Sequence, residues 1–183
     1  MGDITSYGIS EFETNLTDKL QIEYYDKKHF DTILNSNIPK LELSRIISTM
    51  CRVNILYMIA NAGSGHIGTS FSSIDVITWL HLNILSKNDI LFSSKGHDVP
   101  AFYSLLTVLG DLDFNFLHEF RKYNGLPGHP DVKIDGFFTN TGSLGMGISK
   151  AKGFLKAFDL KNDNKSRVYT VLGDGELQEG QNW

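Results

Sequence analysis

Three of the six histidines stand beside a glycine in short segments that read as loops: His66 in Ser64-Gly65-His66, His97 in Lys95-Gly96-His97 and His129 in Gly128-His129-Pro130. Imidazole changes its protonation near neutral pH. A neighbouring glycine lets ring and backbone come close to a ligand. A lone histidine is more often a structural hydrogen-bonder, but three in one kind of setting are harder to assign to packing. His29, His81 and His118 lack that setting and read as surface or packing residues. A further motif, Gly173-Asp174-Gly175, sets a carboxylate between two glycines. Carboxylate oxygen is a hard ligand suited to Mg²⁺, which commonly bridges to phosphate. Glu176 and Glu179 follow within a turn, where a helix dipole alone would favour them. Thr141-Gly142-Ser143-Leu144-Gly145-Met146-Gly147 offers backbone N–H groups suited to an anion, or simply a tight strand-to-helix turn. Gly63-Ser64-Gly65-His66-Ile67-Gly68 has the literal spacing of a dinucleotide loop. It follows a long helix rather than a strand, so that reading is disfavoured.

The elements that must position these residues are visible as periodicity. Leu43, Ile46, Ile47, Met50, Ile55, Leu56 and Ile59 predict a helix from Leu41 to the stop at Ala62-Gly63. Ser72 to Leu85 predicts a second helix, Ala101 to Leu109 a third and Phe114 to Tyr123 a fourth. Leu144, Ile148, Ala151, Leu155 and Phe158 recur at helical steps. Asp89 to Ser93 and Phe137 to Thr139 read as short strands. Arg167 to Leu172, β-branched and apolar, reads as a central parallel strand. Strands separated by helices predict an α/β fold, a doubly wound parallel sheet with helices on both faces. Ligands of such sheets bind beyond the carboxyl ends of the strands, where His97 and Asp174 fall. Residues 1–38 read as a polar N-terminal arm with a loose apolar stripe (Phe12, Leu16, Leu20, Tyr24, Phe30), and residues 39–183 as a partial ligand-binding domain.

Composition excludes several classes. The 183 residues suit one domain able to fold without disulfide or metal. The net charge of −4 provides no basic surface for a nucleic acid. The single cysteine, Cys51, excludes a disulfide framework and predicts a reducing, cytoplasmic setting. Ile74 to Leu85 is interrupted by Asp75, His81 and Asn83, too short and polar to span a bilayer. Met1-Gly2-Asp3-Ile4-Thr5-Ser6 fits the loose acylation pattern but has no polybasic run to support it.

The order of motifs resembles the thiamine diphosphate-binding domain of transketolases, and most closely the stand-alone N-terminal subunits of split transketolases. The likeness runs from about Leu41 to Trp183 through Ser64-Gly65-His66, Lys95-Gly96-His97, Leu126-Pro127-Gly128-His129-Pro130, Thr141-Gly142-Ser143-Leu144-Gly145 and Gly173-Asp174-Gly175-Glu176-Leu177-Gln178-Glu179-Gly180. The resemblance implies thiamine diphosphate and Mg²⁺ as cofactors, with Asp174 a metal ligand and Gly173 and Gly175 at the diphosphate. It implies His66 and His97 near the diphosphate and the reacting carbon, and His129 facing the first oxygens of a sugar. Gly142, Ser143 and Leu144 would lie along the cofactor's rings, and Glu179 would belong to a contact between subunits. The activity implied is transfer of a two-carbon ketol group between sugar phosphates.

Departures from the family pattern are Ile67, where a proline is usual, and Met146, where glutamine is common. The family's metal site is completed by a downstream asparagine, and this sequence stops nine residues after Asp174. That ending predicts a truncated chain, inactive without a C-terminal transketolase subunit that carries the pyrimidine-binding domain and its activating glutamate. Homo- or hetero-oligomers are expected. The rival readings are 1-deoxyxylulose-5-phosphate synthase, which shares the early motifs, a non-catalytic remnant that binds only a partner or ligand, and a sugar-phosphate enzyme without thiamine. The last leaves the Gly-Asp-Gly string unexplained.

Overall fold

A computed structural model describes residues 22–183. Phe12, Leu16, Leu20 and the acylation-like start lie outside the described residues. Helix α1 spans Lys27–Leu34. Asp26 caps it, accepting a hydrogen bond from the His29 N–H at 3.0 Å. Within the expected arm, this helix is anchored to the body of the chain. Phe30 is fully buried. Tyr25 N–H donates to Asn54 Oδ1 at 2.8 Å while Asn54 Nδ2 donates back to the Tyr25 carbonyl at 3.0 Å. Asn54 thus satisfies an extended stretch of backbone ahead of the helix.

Helix α2 (Lys40–Ala62) starts behind Pro39 and ends where Gly63 turns left-handed at φ 64°. Helix α3 (Ile67–Trp79) runs into a π turn over Leu80–Ile84, and α4 covers Val99–Leu109. These three helices pack on one another. Ile47, Cys51, Ile55 and Met58 of α2, Ile74 and Ile77 of α3, and Val99, Tyr103 and Leu105 of α4 form the core. The length and mean hydropathy (1.2) of α2 would suffice to cross a membrane, yet half of that apolar window is buried inside the protein.

Strands β1 (Ile90–Ser93) and β2 (Val168–Val171) pair in parallel, Ile90 against Val168 through Ser93 against Val171. Strand alternation sends Leu91, Tyr169 and Val171 toward the helical core. It sends Phe92 to the opposite face, where its ring lies 5.9 Å from that of Phe154. Phe154 belongs to α5 (Gly147–Leu160), which covers that face. Helices therefore flank the sheet on both sides, as an α/β fold requires.

Several elements differ from the sequence expectation. Helix α3 starts five residues earlier than Ser72, because His66 already occupies its N-cap position. Only Phe114–His118 of the expected fourth helix is helical, as a 3₁₀ turn. The chain then folds back so that Phe120 pairs with Leu126, and this buries Leu117, Phe120 and Leu126 together in a way one straight helix would not. Phe137 is no strand residue. It packs against Phe102 and Tyr103 at ring separations of 6.2 and 5.3 Å, and its backbone has no strand beside it among the described residues. Strand β2 is paired on one side only and is half-buried among the described residues, not central. Leu144 precedes α5 instead of lying in it.

The Phe30 anchor gives a direct check. Phe30→Ala should lower the unfolding free energy by about 3–5 kcal/mol, read as a shifted denaturant midpoint. A peripheral arm would leave the midpoint unchanged.

Candidate functional site

Both strands end at the same edge of the sheet, and the site is built from the loop that leaves each end. After β1 come Ser94, Lys95, Gly96 and His97; after β2 come Leu172, Gly173, Asp174 and Gly175. The Ser94 N–H continues the ladder to the Val171 carbonyl at 2.9 Å, so the two loops leave side by side. They line a cavity of about 580 Å³ together with Gly68, Thr69 and Ser72 of α3, Leu144 and Glu176.

One buried carboxylate fixes this arrangement. Glu176 is 2% exposed. Its Oε1 accepts from the Ser94 hydroxyl and from Gly145 N–H at 2.8 Å, and its Oε2 accepts from Gly173 N–H at 3.0 Å. Ser94 Oγ in turn accepts from Gly147 N–H at 2.9 Å, the first residue of α5. The β1 loop, the β2 loop and the segment entering α5 are thus tied at a single side chain. A buried carboxylate tolerates desolvation when its lone pairs meet N–H and O–H donors in this way.

A second buried cluster holds Lys95. Its ammonium donates to Ser73 Oγ at 2.5 Å and lies 3.2 Å from Asp98 Oδ2. Ser73 and Ser93 each donate to that same oxygen at 2.9 Å. Asp98 Oδ1 is buried with no partner among the described residues. Burial of both charges makes the pair costly to break, so Lys95 is held at the cavity wall.

The three glycine-flanked histidines come together. The rings of His66 and His97 are 5.1 Å apart at an interplanar angle of 66°. His97 Nδ1 lies 2.9 Å from the Lys95 carbonyl and donates to it, leaving Nε2 open as an acceptor in the neutral ring. Gly96, at φ 73°, approaches so closely that a Cβ there would stand 2.7 Å from Gly142 N. Gly142, at φ 141°, is seated against His129, with a Cβ position 2.9 Å from His129 Cδ2. Close backbone contact between two glycine segments is what brings His97 and His129 into one corner. Burial, then the positive charge of Arg121 and the neighbouring His97 and His66 rings, hold His129 below the usual imidazole range.

Of the residues expected from sequence, His97, Leu144, Gly173, Asp174 and Gly175 line the cavity. His66, His129, Gly142, Ser143 and Glu179 do not line it; the first two reach its flank through the histidine corner. Ser143 is exposed. Glu179 is exposed too, and packs its Cβ against the left-handed Gly145, where an added Cβ would meet it at 2.8 Å. Sequence reasoning missed Glu176, Asp98, Thr69 and Ser72, and took Lys95 only as part of a motif. The signal for Lys95 and Asp98 was a pair of opposite charges flanking Gly-His directly after a buried strand. For Glu176 the sequence offers none, because two of its three partners lie 82 and 31 residues away.

Chemically, the cavity presents the Thr69 and Ser72 hydroxyls, the Lys95 ammonium, His97 and glycine backbone to a polar ligand, with Asp174 as its exposed carboxylate. That set suits a phosphate group bridged to a hard cation. Among the described residues no cluster of three or more His, Cys, Asp or Glu side chains comes together to hold a metal alone. A metal here would take Asp174 and find its other ligands on the phosphate and elsewhere. The Glu176 tie is testable without any ligand. Glu176→Ala should destabilise the protein by roughly 1–3 kcal/mol for each buried donor left unmet, with Glu176→Gln in between. Wild-type stability in the alanine variant would show that the tie is dispensable.

Comparisons with known proteins bear on the family and the fold. The profile of the transketolase thiamine diphosphate binding domain matches residues 43–183. A subunit of the apulose-4-phosphate transketolase of Actinobacillus succinogenes is 34% identical over 72% of this chain and 52% of its own length. The 6-deoxy-6-sulfo-D-fructose transketolase subunit SqwG of a Clostridium species is 35% identical over 68% of this chain and 49% of its own. The chain spans about half the length of these curated relatives. Among solved structures, the transketolase from Leishmania mexicana superposes with a TM-score of 0.64 at 26% identity, over 78% of this chain and 24% of that one. On the strength of the match to residues 43–183, the chain belongs to the transketolase family and carries its thiamine diphosphate-binding domain.

Proposed function

We propose that this chain is the cofactor-binding half of a transketolase that transfers a two-carbon ketol group between sugar phosphates, working with Mg²⁺ and with a second subunit that carries the pyrimidine-binding domain. The observation that carries the reading is the convergence of both strand ends on one cavity, with Asp174 between glycines facing Lys95 and His97. The names of two relatives, each a transketolase subunit, support the need for a partner chain. The substrates those names give carry a phosphate in one case and a sulfo group in the other, in keeping with an acidic sugar as substrate. The buried Cys51 thiol, pushed up to about 12 by burial, suits a reducing cytoplasmic setting.

Thiamine diphosphate, when bound, supplies the electron sink that lets a bond next to a carbonyl be broken and remade. The chain's own residues bind and move protons. Asp174 would hold the cation against the diphosphate, while Gly173 and Gly175 allow close approach of the backbone. Lys95, paired with the buried Asp98, is a fixed hydrogen-bond donor at the wall. His97, whose Nε2 has no hydrogen-bond partner among the described residues, can take a proton from a sugar hydroxyl and return it. His66 and His129 border the same corner and orient further hydroxyls. Leu144, 39% exposed ahead of α5, offers an apolar surface against which a flat ring would rest.

Calorimetry tests the binding half of this reading. The full chain should take up thiamine diphosphate in the micromolar range with Mg²⁺ present, and Asp174→Asn should weaken that uptake at least tenfold. Millimolar or absent binding in the unaltered chain would favour the rival, a remnant that binds only a partner. The catalytic half is tested with sugar phosphates. Turnover should require an added C-terminal subunit, and turnover by the chain alone would contradict the division of labour.

A further inference from the structure

The turn ahead of His129 carries an arginine in a conformation its type rarely adopts. Phe120 and Leu126 pair across the turn. Arg121 N–H donates to the Leu126 carbonyl at 2.7 Å, and Leu126 N–H donates to the Glu119 carbonyl at 2.9 Å. Between them Arg121 and Asn124 stand at φ 56° and 60°. Asparagine tolerates that region; arginine is strained there. The Arg121 guanidinium carbon lies 5.4 Å from the centre of the Phe120 ring. Its Nε also lies 2.8 Å from where a Cβ of Gly128 would stand, so the guanidinium packs directly on the glycine that precedes His129. Among the described residues Arg121 forms no ion pair.

We propose that Arg121 is a positioning residue for His129: its guanidinium, wedged between Phe120 and Gly128, braces the turn that carries His129 and sets a fixed positive charge beside that ring. That charge disfavours the protonated ring, so it helps burial hold the His129 imidazole below its usual range. The groups facing His129 are Arg121 from its own turn, His97 from the loop after β1 and His66 from the start of α3. Asp131, on the same loop, is engaged by the Lys133 N–H at 2.9 Å. The segment at Gly142 brings no titratable side chain. Burial and all three facing groups push the same way, so loss of one positive charge raises the midpoint of His129.

The inference rests on the reading that His129 faces substrate. Its test needs neither cofactor nor partner, so the two can fail separately. Imidazole NMR signals of the full chain are followed through pH, with His129→Asn identifying the resonance. In Arg121→Gln the His129 midpoint should rise by about half a pH unit, while Arg121→Lys, which keeps the charge, should restore most of the original value. Should the glutamine variant fold poorly, raising the salt concentration on the unaltered chain should lift the same midpoint by screening. A midpoint that moves less than about 0.1 unit in both experiments, or that moves equally in the glutamine and lysine variants, overturns the proposal.

Discussion

A single buried carboxylate governs the geometry of this chain's ligand-binding edge. Glu176 joins the loop after β1, the loop after β2 and the entry to α5. Neither the two-strand pairing nor the helical core alone would hold Asp174 across a cavity from Lys95 and His97. The strands bring the loops alongside each other, and the carboxylate stops them from splaying. Three hydrogen bonds to an ionised acceptor in a buried setting are among the stronger polar arrangements available, and the cost of leaving their donors unmet makes the tie cooperative.

Charge is arranged around that tie with two different purposes. Lys95 and Asp98 neutralise each other within the protein, with Ser73 and Ser93 supplying further donors to the carboxylate. Arg121 has no such partner among the described residues and acts on His129 instead. Asp174 is left exposed at the cavity, free to meet a cation. A phosphate-bearing ligand therefore finds a wall of donors, one available carboxylate and a corner of imidazoles. Under the proposed function, that combination would let the cofactor carry the electronic burden while the protein handles protons.

Much of this was legible in the sequence, for identifiable reasons. Helix α2 was clear to within a residue because its apolar period is long and Gly63 ends it. Strand β1 and the α4 helix followed from local pattern. Glycine-flanked loops draw attention to His97 and Asp174, and the resemblance to transketolases implies the roles of Leu144, Gly173 and Gly175. Helix α3 begins earlier than expected because the glycine-rich segment reads as the stop of α2 and a tight turn rather than as the entry to α3. The stretch from Phe114 to Tyr123 has helical spacing, yet Phe120 and Leu126 gain more by pairing in a folded-back turn. Glu176 is legible only as a charge favourable to a helix start, because nothing local shows that its carboxylate also ties loops dozens of residues away. Phe30 is legible as part of an apolar stripe but not as a buried anchor, since its burial depends on helices α2 and α4, both later in the chain.

Under the proposed function the strand-end loops, Leu144 and the start of α3 would surround one metal–diphosphate position. Paramagnetic broadening by Mn²⁺ added with thiamine diphosphate tests it directly on the full chain. Backbone signals of Gly68 to Ser72, Lys95 to His97, Gly142 to Gly145 and Gly173 to Glu176 should vanish together, while those of Lys27–Leu34 persist. Broadening centred elsewhere, or confined to Asp174 and its immediate neighbours while His97 and Leu144 stay sharp, would contradict a shared cradle.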